Sequence, residues 1–244
     1  FYTAAAAWVF GVIGAVGLVL VSRQWDVFLS TFLHFFNWRG AAMYGAVLCA
    51  VKVVHDTELI LATAELTTGI ALIAGTGSVA WGRDASGRVA RAGGWGYLLG
   101  DEGSAYWIGR EALARISREL DGRDPESGFA KVMLATIGIA PEDLSTWAYA
   151  EAPRARIAGL AAVVSTCAQA GNAVARALMQ AAGEELGLLG QTAVRLCGTA
   201  DRWSYAGGVM ADPTVLATVT AAMGCPPVPP ILPPVGGAVL AAAK

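Results

Sequence analysis

The strongest constraint on the fold is an apolar run that ends in a glycine turn carrying two hydroxyl groups. Gly69 to Ala74 predicts a buried β-strand, and the turn Gly75-Thr76-Gly77-Ser78 follows it. A β-hairpin is expected next, from Val79 to Ala92, around Asp84-Ala85-Ser86-Gly87. Glycines let backbone N–H groups approach phosphate oxygens, and the Thr76 and Ser78 hydroxyls add donors. Alone the turn is a weak signal, because any turn between two strands can contain these residues.

The rest of the chain alternates between strand, turn and helix patterns. Further strands are predicted at Lys52–His55 and Ala193–Cys197. Helices are predicted at Glu58–Leu66, Tyr106–Leu120 and about 126–137, 141–149, 154–170 and 172–190, with others near Pro213 and after Gly236. Such alternation is typical of an α/β fold.

Composition argues against a nucleic-acid partner and against a structural metal site. The 244 residues suit one large domain or two small ones, and the net charge of −2 does not favour a nucleic-acid partner. The four cysteines form no CxxC motif and only two histidines are present, so no structural metal site is expected. Buried free thiols in a reducing compartment predict a cytoplasmic protein.

Two acidic positions could carry chemistry. Asp56 ends the first predicted strand, where a carboxylate beside a phosphate loop can take a proton from an attacking hydroxyl. It could equally cap the next helix. Asp101 lies with Glu102 in the glycine-rich stretch 93–109 (GGWGYLLGDEGSAYWIG), near the indole of Trp95.

The stretch 93–109 has two interpretations. Carboxylates accept sugar hydroxyls and an indole packs on the apolar face of a sugar, so the stretch could bind a carbohydrate. Alternatively, the Trp faces the core and the acids cap a helix. Further along, Gly207-Gly208-Val209 precedes a helix, and a glycine pair there lets a base or ribose lie against the backbone.

Taken together, the motifs VVHD, LIAGTGS, GGWG-x3-GDEGSAYWIG and AGGV resemble the N-acetylglucosamine kinases and related ATPases of the BadF/BadG/BcrA/BcrD family. The resemblance covers about residues 50–244 and implies an actin-like (ribonuclease H-like) ATPase fold of the α/β class. It also implies ATP and Mg²⁺ as cofactors, with no metal-binding side chain assigned. The implied reaction is phosphorylation of an amino sugar at its 6-hydroxyl.

The resemblance also implies roles for individual residues. Asp56 matches the catalytic base. The matched binding residues are, for phosphate, Gly75, Thr76, Gly77 and Ser78; for sugar, Gly94, Trp95, Gly96 and Asp101; and for adenosine, Gly159, Gly207, Gly208 and Val209. Phosphates would lie against residues 75–78 and the sugar between Asp56 and Asp101.

Residues 1–50 depart from the family pattern. They lack a DGGGT-like hairpin, the family's first phosphate loop, and Ala4–Val21 is an apolar run of eighteen residues. The run could be a membrane anchor, a buried or partner-bound helix, or a segment foreign to the fold, which is the favoured interpretation. We therefore expect a truncated or altered N-terminal lobe, with its remainder at 51–110, a C-terminal lobe at 111–244, and impaired activity.

Two other functions stay open. One is the ATPase activator of a 2-hydroxyacyl-CoA dehydratase, although the cysteines that would hold its iron–sulfur cluster are missing between residues 50 and 166. The other is a non-catalytic sugar- or nucleotide-binding domain that is either membrane-anchored or degenerate; the apolar run motivates it, although membrane contact through residues 4–21 is not favoured. The apolar C-terminal lobe could also pair two copies into a homodimer.

Overall fold

The computed structural model describes residues 56–150, 153–198 and 202–231. The apolar run Ala4–Val21, the predicted strand Lys52–His55 and the helix predicted after Gly236 lie outside the described residues. The described residues belong to one compact unit, Val54–Lys244.

Four strands and seven α-helices make up the described part of the chain. The strands are Gly69–Ala74 (β1), Ser78–Arg83 (β2), Val89–Gly93 (β3) and Trp203–Ala206 (β4). The helices are Asp56–Thr63 (α1), Ala105–Leu120 (α2), Phe129–Ile137 (α3), Leu144–Tyr149 (α4), Pro153–Gln169 (α5), Ala173–Cys197 (α6) and Pro213–Met223 (α7). Short 3-10 turns cover Pro141–Asp143 and Gly208–Ala211.

The strands form one mixed sheet in the order β3-β2-β1-β4. β1 pairs antiparallel with β2, and β2 with β3, whereas β1 pairs parallel with β4. The carboxyl ends of β1 and β4 therefore lie at the same edge of the sheet, where ligands of α/β proteins commonly bind. The sheet contains strands from both sides of the domain boundary expected at residue 110.

Both faces of β1 are covered, as its uninterrupted apolar sequence requires. Ile70 and Leu72 point into the larger core, which α2, α3, α5, α6 and α7 complete. Ala71 points the other way, onto a smaller cluster built around Ile60 and Leu61 of α1. The alternation follows from the two-residue period of a strand.

The strand predicted at Ala193–Cys197 is wrong, because these residues are the last turns of α6. Its buried positions continue at helical spacing through Gly190, Ala193 and Cys197, and Gly198 ends the helix with φ +80°. The strand that completes the sheet is β4, which follows a few residues later. The predicted hairpin and most of the helices are confirmed, with ends shifted by a few residues.

The cysteines and the long helices of the described residues bear on the expected buried thiols and on membrane-spanning segments. Cys167 and Cys197 are buried free thiols, and burial raises the pKa of each. In the described ranges no single helix is both long and apolar enough for a bilayer; only α5 and α6 together meet the criteria of length and composition, with a bend of 120° between them.

Candidate active site

The glycine turn after β1 is braced from behind by the start of α2. Ala74 pairs with Ser78, so Gly75, Thr76 and Gly77 form the turn itself. The Gly75 N–H donates to the Gly77 carbonyl at 3.0 Å, and the Gly75 carbonyl accepts from the Ala105 N–H at 2.9 Å. The turn is thus held in one shape, with Thr76 at its exposed tip.

Asp101 is locked against this turn. Its Oδ1 accepts the Ser78 N–H at 3.2 Å, and only 4% of its side chain is exposed. A Cβ on Gly77 would lie 2.7 Å from Asp101 Oδ2, so a glycine is needed for this close approach. Asp101 also has φ +61°, a left-handed conformation that few residues other than glycine adopt.

The Ser78 side chain faces inward as well. Its hydroxyl donates to the Glu102 carbonyl at 2.7 Å, and the residue is buried. Both donors of Ser78 therefore hold in place the loop between β3 and α2 that carries Asp101 and Glu102 (residues 94–104, the acidic loop). The exposed hydroxyl of the turn is that of Thr76. Ser104 caps α2 by accepting the Trp107 N–H at 3.2 Å, which fixes the other end of the loop.

The glycine pair after β4 reaches the same turn. Gly207, at φ +103°, lies directly against the Ala74 carbonyl, so any side chain there would collide with the backbone. Gly208 has no atom within 4 Å of the position of a Cβ. The third residue of the predicted adenosine motif, Val209, packs its side chain into the core.

A cavity of about 430 Å³ opens beside the turn. It is lined by residues from the turn, the acidic loop and two helices: Thr76, Tyr97, Tyr106, Pro153, Arg154 and Ala155. Gly159 follows Ala155 by one helical turn on the same face of α5, and a Cβ there would meet no atom within 4 Å.

The predicted sugar loop borders the turn from another side. The Gly94 N–H donates to the Ser78 carbonyl at 3.0 Å. Trp95 is 74% exposed, and the guanidinium of Arg91 lies 6.0 Å from its ring centroid. The interpretation of Trp95 as a core residue is therefore wrong. Gly96 has φ +86° and open space around it.

The structure thus brings together the turn, Asp101, Gly94 and Gly207. Asp56 is the first residue of α1, but its side chain lies outside the described residues, so its convergence on the cavity stays a prediction. Sequence reasoning missed Arg154 and the two tyrosines that line the cavity. A signal for Arg154 was present, since the sequence Pro-Arg-Ala-Arg opens α5 without an acid in its first turn.

No metal cluster accompanies these residues: in the ranges that the structure describes, no three His, Cys, Asp or Glu side chains lie close enough to hold an ion. Mg²⁺ in phosphate sites usually keeps several waters and binds through substrate phosphates with one or two carboxylates. The exposed turn and the cavity leave room for such an ion to arrive with a nucleotide.

Comparison with known proteins identifies relatives. A curated N-acetylmuramic acid/N-acetylglucosamine kinase from Clostridium acetobutylicum is 36% identical over 139 residues, 56% of this chain and 45% of that protein. An N-acetyl-D-glucosamine kinase from Dictyostelium discoideum is 39% identical over 82 residues, 33% of this chain and 26% of that protein. The chain spans less than half the length of the curated relatives it matches.

Solved structures agree on the fold. A protein from Chromobacterium violaceum, provisionally assigned as an N-acetylglucosamine kinase, superposes with a TM-score of 0.66 at 27% identity, covering 78% of this chain and 65% of that one. A similarly assigned protein from Porphyromonas gingivalis gives 0.60 at 23% identity over 77% of this chain and 63% of that one. The expected actin-like ATPase fold is thereby confirmed.

The family model extends further toward the N-terminus than the motifs do. The BadF/BadG/BcrA/BcrD ATPase family model matches residues 36–242, so the match begins ahead of residue 50, where the resemblance was placed. It includes the glycine turn, the acidic loop and the glycine pair after β4. This chain therefore belongs to the BadF/BadG/BcrA/BcrD ATPase family.

Proposed function

We propose that this chain is part of an ATP-dependent kinase that phosphorylates an amino sugar of the N-acetylglucosamine class at its 6-hydroxyl. One observation carries the proposal: the Thr76 turn, Asp101 and Gly207 meet at one edge of the sheet, beside a cavity of about 430 Å³. The two curated relatives are named as kinases of N-acetylated amino sugars, which supports this substrate class.

The proposed nucleotide-binding part of the site is supported by open space next to the backbone. Gly75, Gly159 and Gly208 each leave the position of a Cβ open, so a phosphate or a flat base can approach the main chain there. Gly207 lets that backbone lie against the turn. Bound ATP would supply the phosphoryl group, and Mg²⁺ that arrives with the nucleotide would offset the charge of its phosphates. The Thr76 hydroxyl, at the exposed tip of the turn, then donates to a phosphate oxygen.

The sugar side rests on the acidic loop. Trp95 presents an exposed indole on which an apolar sugar face can stack, and Gly96 beside it has no described atom within 4 Å of the position of a Cβ, whereas Gly94 lies close against Arg91 and Val79. Oδ1 of Asp101 is bonded to the turn, and Oδ2, which lies 3.5 Å from Arg154 Nη2, would accept a sugar hydroxyl with its remaining lone pair. Asp101 then links the two substrates, because any shift of its carboxylate also moves the phosphate turn.

Asp56 would act as the general base that takes the proton of the sugar 6-hydroxyl. Its position as the first residue of α1 and its match to the family's base support this role. The 244-residue chain by itself should transfer phosphate slowly, because its sequence contains no DGGGT-like hairpin to stabilise charge on the phosphates. We expect it to act in the cytoplasm, where ATP is available, and a homodimer is compatible with its apolar helices.

The experiment combines binding with product analysis. Calorimetry with ADP and N-acetylglucosamine measures binding, and phosphorus NMR after long incubation with ATP and Mg²⁺ identifies the phosphorylated position. We expect both ligands to bind and a 6-phosphate to form slowly. Asp56→Asn should lower the transfer rate by about 10²–10⁴-fold while both ligands still bind.

Two results would contradict the proposal in different ways. Binding of both ligands without any transfer, also by a longer protein that carries a DGGGT hairpin, would indicate a non-catalytic binding domain. If the chain bound neither ADP nor N-acetylglucosamine, the assignment of both substrates would be withdrawn.

A further inference from the structure

Arg154 is the cationic residue among the six described residues that line the cavity beside Thr76. It is the second residue of α5, and it lines the cavity together with Tyr97 and Tyr106. Its guanidinium carbon lies 5.1 Å from the Tyr97 ring centroid, and that ring in turn packs edge-on against Tyr106 at 5.1 Å. The arginine is thus stacked in place at the wall of the cavity.

Within the described part of the chain, the contacts of Arg154 leave most of its hydrogen-bonding capacity unused. Its Nη2 lies 3.5 Å from Asp101 Oδ2, at the outer limit of a hydrogen bond. A guanidinium has five N–H donors, and 47% of this side chain is exposed. Asp101 therefore orients the guanidinium, while donors remain available to a ligand.

Structural stability does not account for the position of Arg154. The ion pair with Asp101 is long, at 3.5 Å, and its cation is 47% exposed although its carboxylate is buried, so it contributes on the order of 1 kcal/mol. A cation in the first turn of a helix also opposes the helix dipole, which favours acids there. α5 has no acid in its first turn and begins Pro-Arg-Ala-Arg. The helix end and the guanidinium thus both contribute positive potential at the cavity, and the buried Asp101 carboxylate opposes part of it.

We propose that Arg154 and the start of α5 form an oxyanion subsite of the Thr76 cavity. A guanidinium binds phosphate and carboxylate groups alike through paired charge-assisted hydrogen bonds. Given the proposed function, two sources supply such a group: a phosphate of the nucleotide, or the carboxylate of an acidic amino sugar. N-acetylmuramic acid is an amino sugar of the second kind, and one curated relative is named as its kinase.

The test compares Arg154→Met and Arg154→Lys with the wild-type chain by calorimetry. Arg110→Met is the matched control, because Arg110 is 49% exposed and paired with a neighbouring acid on α2. The ligands are ATP, adenosine, N-acetylmuramic acid, N-acetylglucosamine and inorganic pyrophosphate. Thermal unfolding followed by circular dichroism checks that all variants fold.

We expect Arg154→Met to weaken binding of at least one oxyanion ligand by about tenfold or more, as loss of a charged hydrogen bond predicts. Arg154→Lys should recover part of the loss and Arg110→Met should cause none. A loss for ATP but not adenosine identifies the nucleotide phosphate as the source. A loss for N-acetylmuramic acid but not N-acetylglucosamine identifies the sugar carboxylate.

The inference and the proposed function fail separately. Arg154-dependent binding of pyrophosphate without binding of any nucleotide or sugar would leave the subsite standing and remove the kinase assignment. Unchanged oxyanion binding in Arg154→Met, or equal losses for the neutral and the anionic ligands, would overturn the subsite. Absence of any anion binding to the wild-type chain would overturn it as well.

Discussion

Glycines occur in two regions of this molecule for opposite physical reasons. Along α6, a Cβ on Gly183, Gly187 or Gly190 would lie 2.6–2.7 Å from a side chain of α7. Close in sequence to residues that line the cavity or contact its turn, a Cβ on Gly75, Gly159 or Gly208 would meet no atom of the described residues within 4 Å. Contacts inside the protein require a glycine at the first three positions, whereas no contact within the described residues requires one at the second three.

The difference predicts where a ligand can approach the backbone, provided that the open glycines lie beside the cavity. A glycine in a helix interior costs about 1 kcal/mol relative to alanine. In α6 the close packing of α7 offsets that cost. Gly159 lies in the middle of α5 with no neighbour in the described part of the chain, so packing does not explain it. We predict that a ligand approaches the backbone at this position.

The largest effect is expected where a glycine touches the backbone of another helix. Gly109 of α2 lies directly against the Ile157 carbonyl of α5. Gly109→Val should lower the free energy of unfolding by about 3 kcal/mol or more, because the two helices must separate. Urea denaturation measures the loss. Ala114→Val, at an exposed position of α2, is the control, and an equal loss there would show that helix propensity alone is responsible.

A smaller effect is expected between α6 and α7. A Cβ on Gly187 would lie 2.6 Å from the Cβ of Ala222. Gly187→Ala should therefore destabilise the fold by about 1–3 kcal/mol. Adding Ala222→Gly should recover part of that loss by restoring the space. A double variant whose losses are merely additive would mean that the two positions are not in contact.

The sequence predicted the centre of the sheet better than its edge or the site. β1, its turn and the hairpin followed from a continuous apolar run and four adjacent turn residues, which are local signals. The last strand was predicted too early in the chain, at Ala193–Cys197. These residues have a strand-like composition, but they belong to α6. The contact of Asp101 with Ser78 could not be predicted, since it depends on the left-handed conformation of Asp101 and on the absence of a side chain at Gly77.

Arg154 illustrates the same limit within the site. Its position in the sequence predicts only the start of a helix, whereas its role depends on Tyr97 and Asp101, which are more than fifty residues away along the chain. By contrast, the glycine pair at 207–208 was found from the sequence, because adjacent glycines before a helix are visible without knowledge of tertiary contacts.

At the cavity edge, a substitution should change binding and leave stability alone. Gly75→Ala places a methyl group in open space beside the turn, at a residue whose φ suits any side chain. We expect the thermal transition to stay within about 2 °C of the wild type, as for most surface substitutions. The affinity for ADP should fall by about tenfold. Unchanged affinity would mean that no phosphate approaches Gly75.

The smallest effect is expected at Gly159, where the two consequences have opposite signs. Gly159→Ala should raise the free energy of unfolding by about 1 kcal/mol, because alanine is the better helix former and meets no neighbour. Ala162→Gly, an exposed position on the same helix, should lower it by a similar amount. Calorimetry with ADP then separates the two sites: Gly159→Ala should weaken binding and Ala162→Gly should not. A more stable Gly159→Ala protein with unchanged ADP affinity would show that the open space at Gly159 serves no nucleotide. Open space next to a glycine would then no longer indicate a ligand-binding position in this protein.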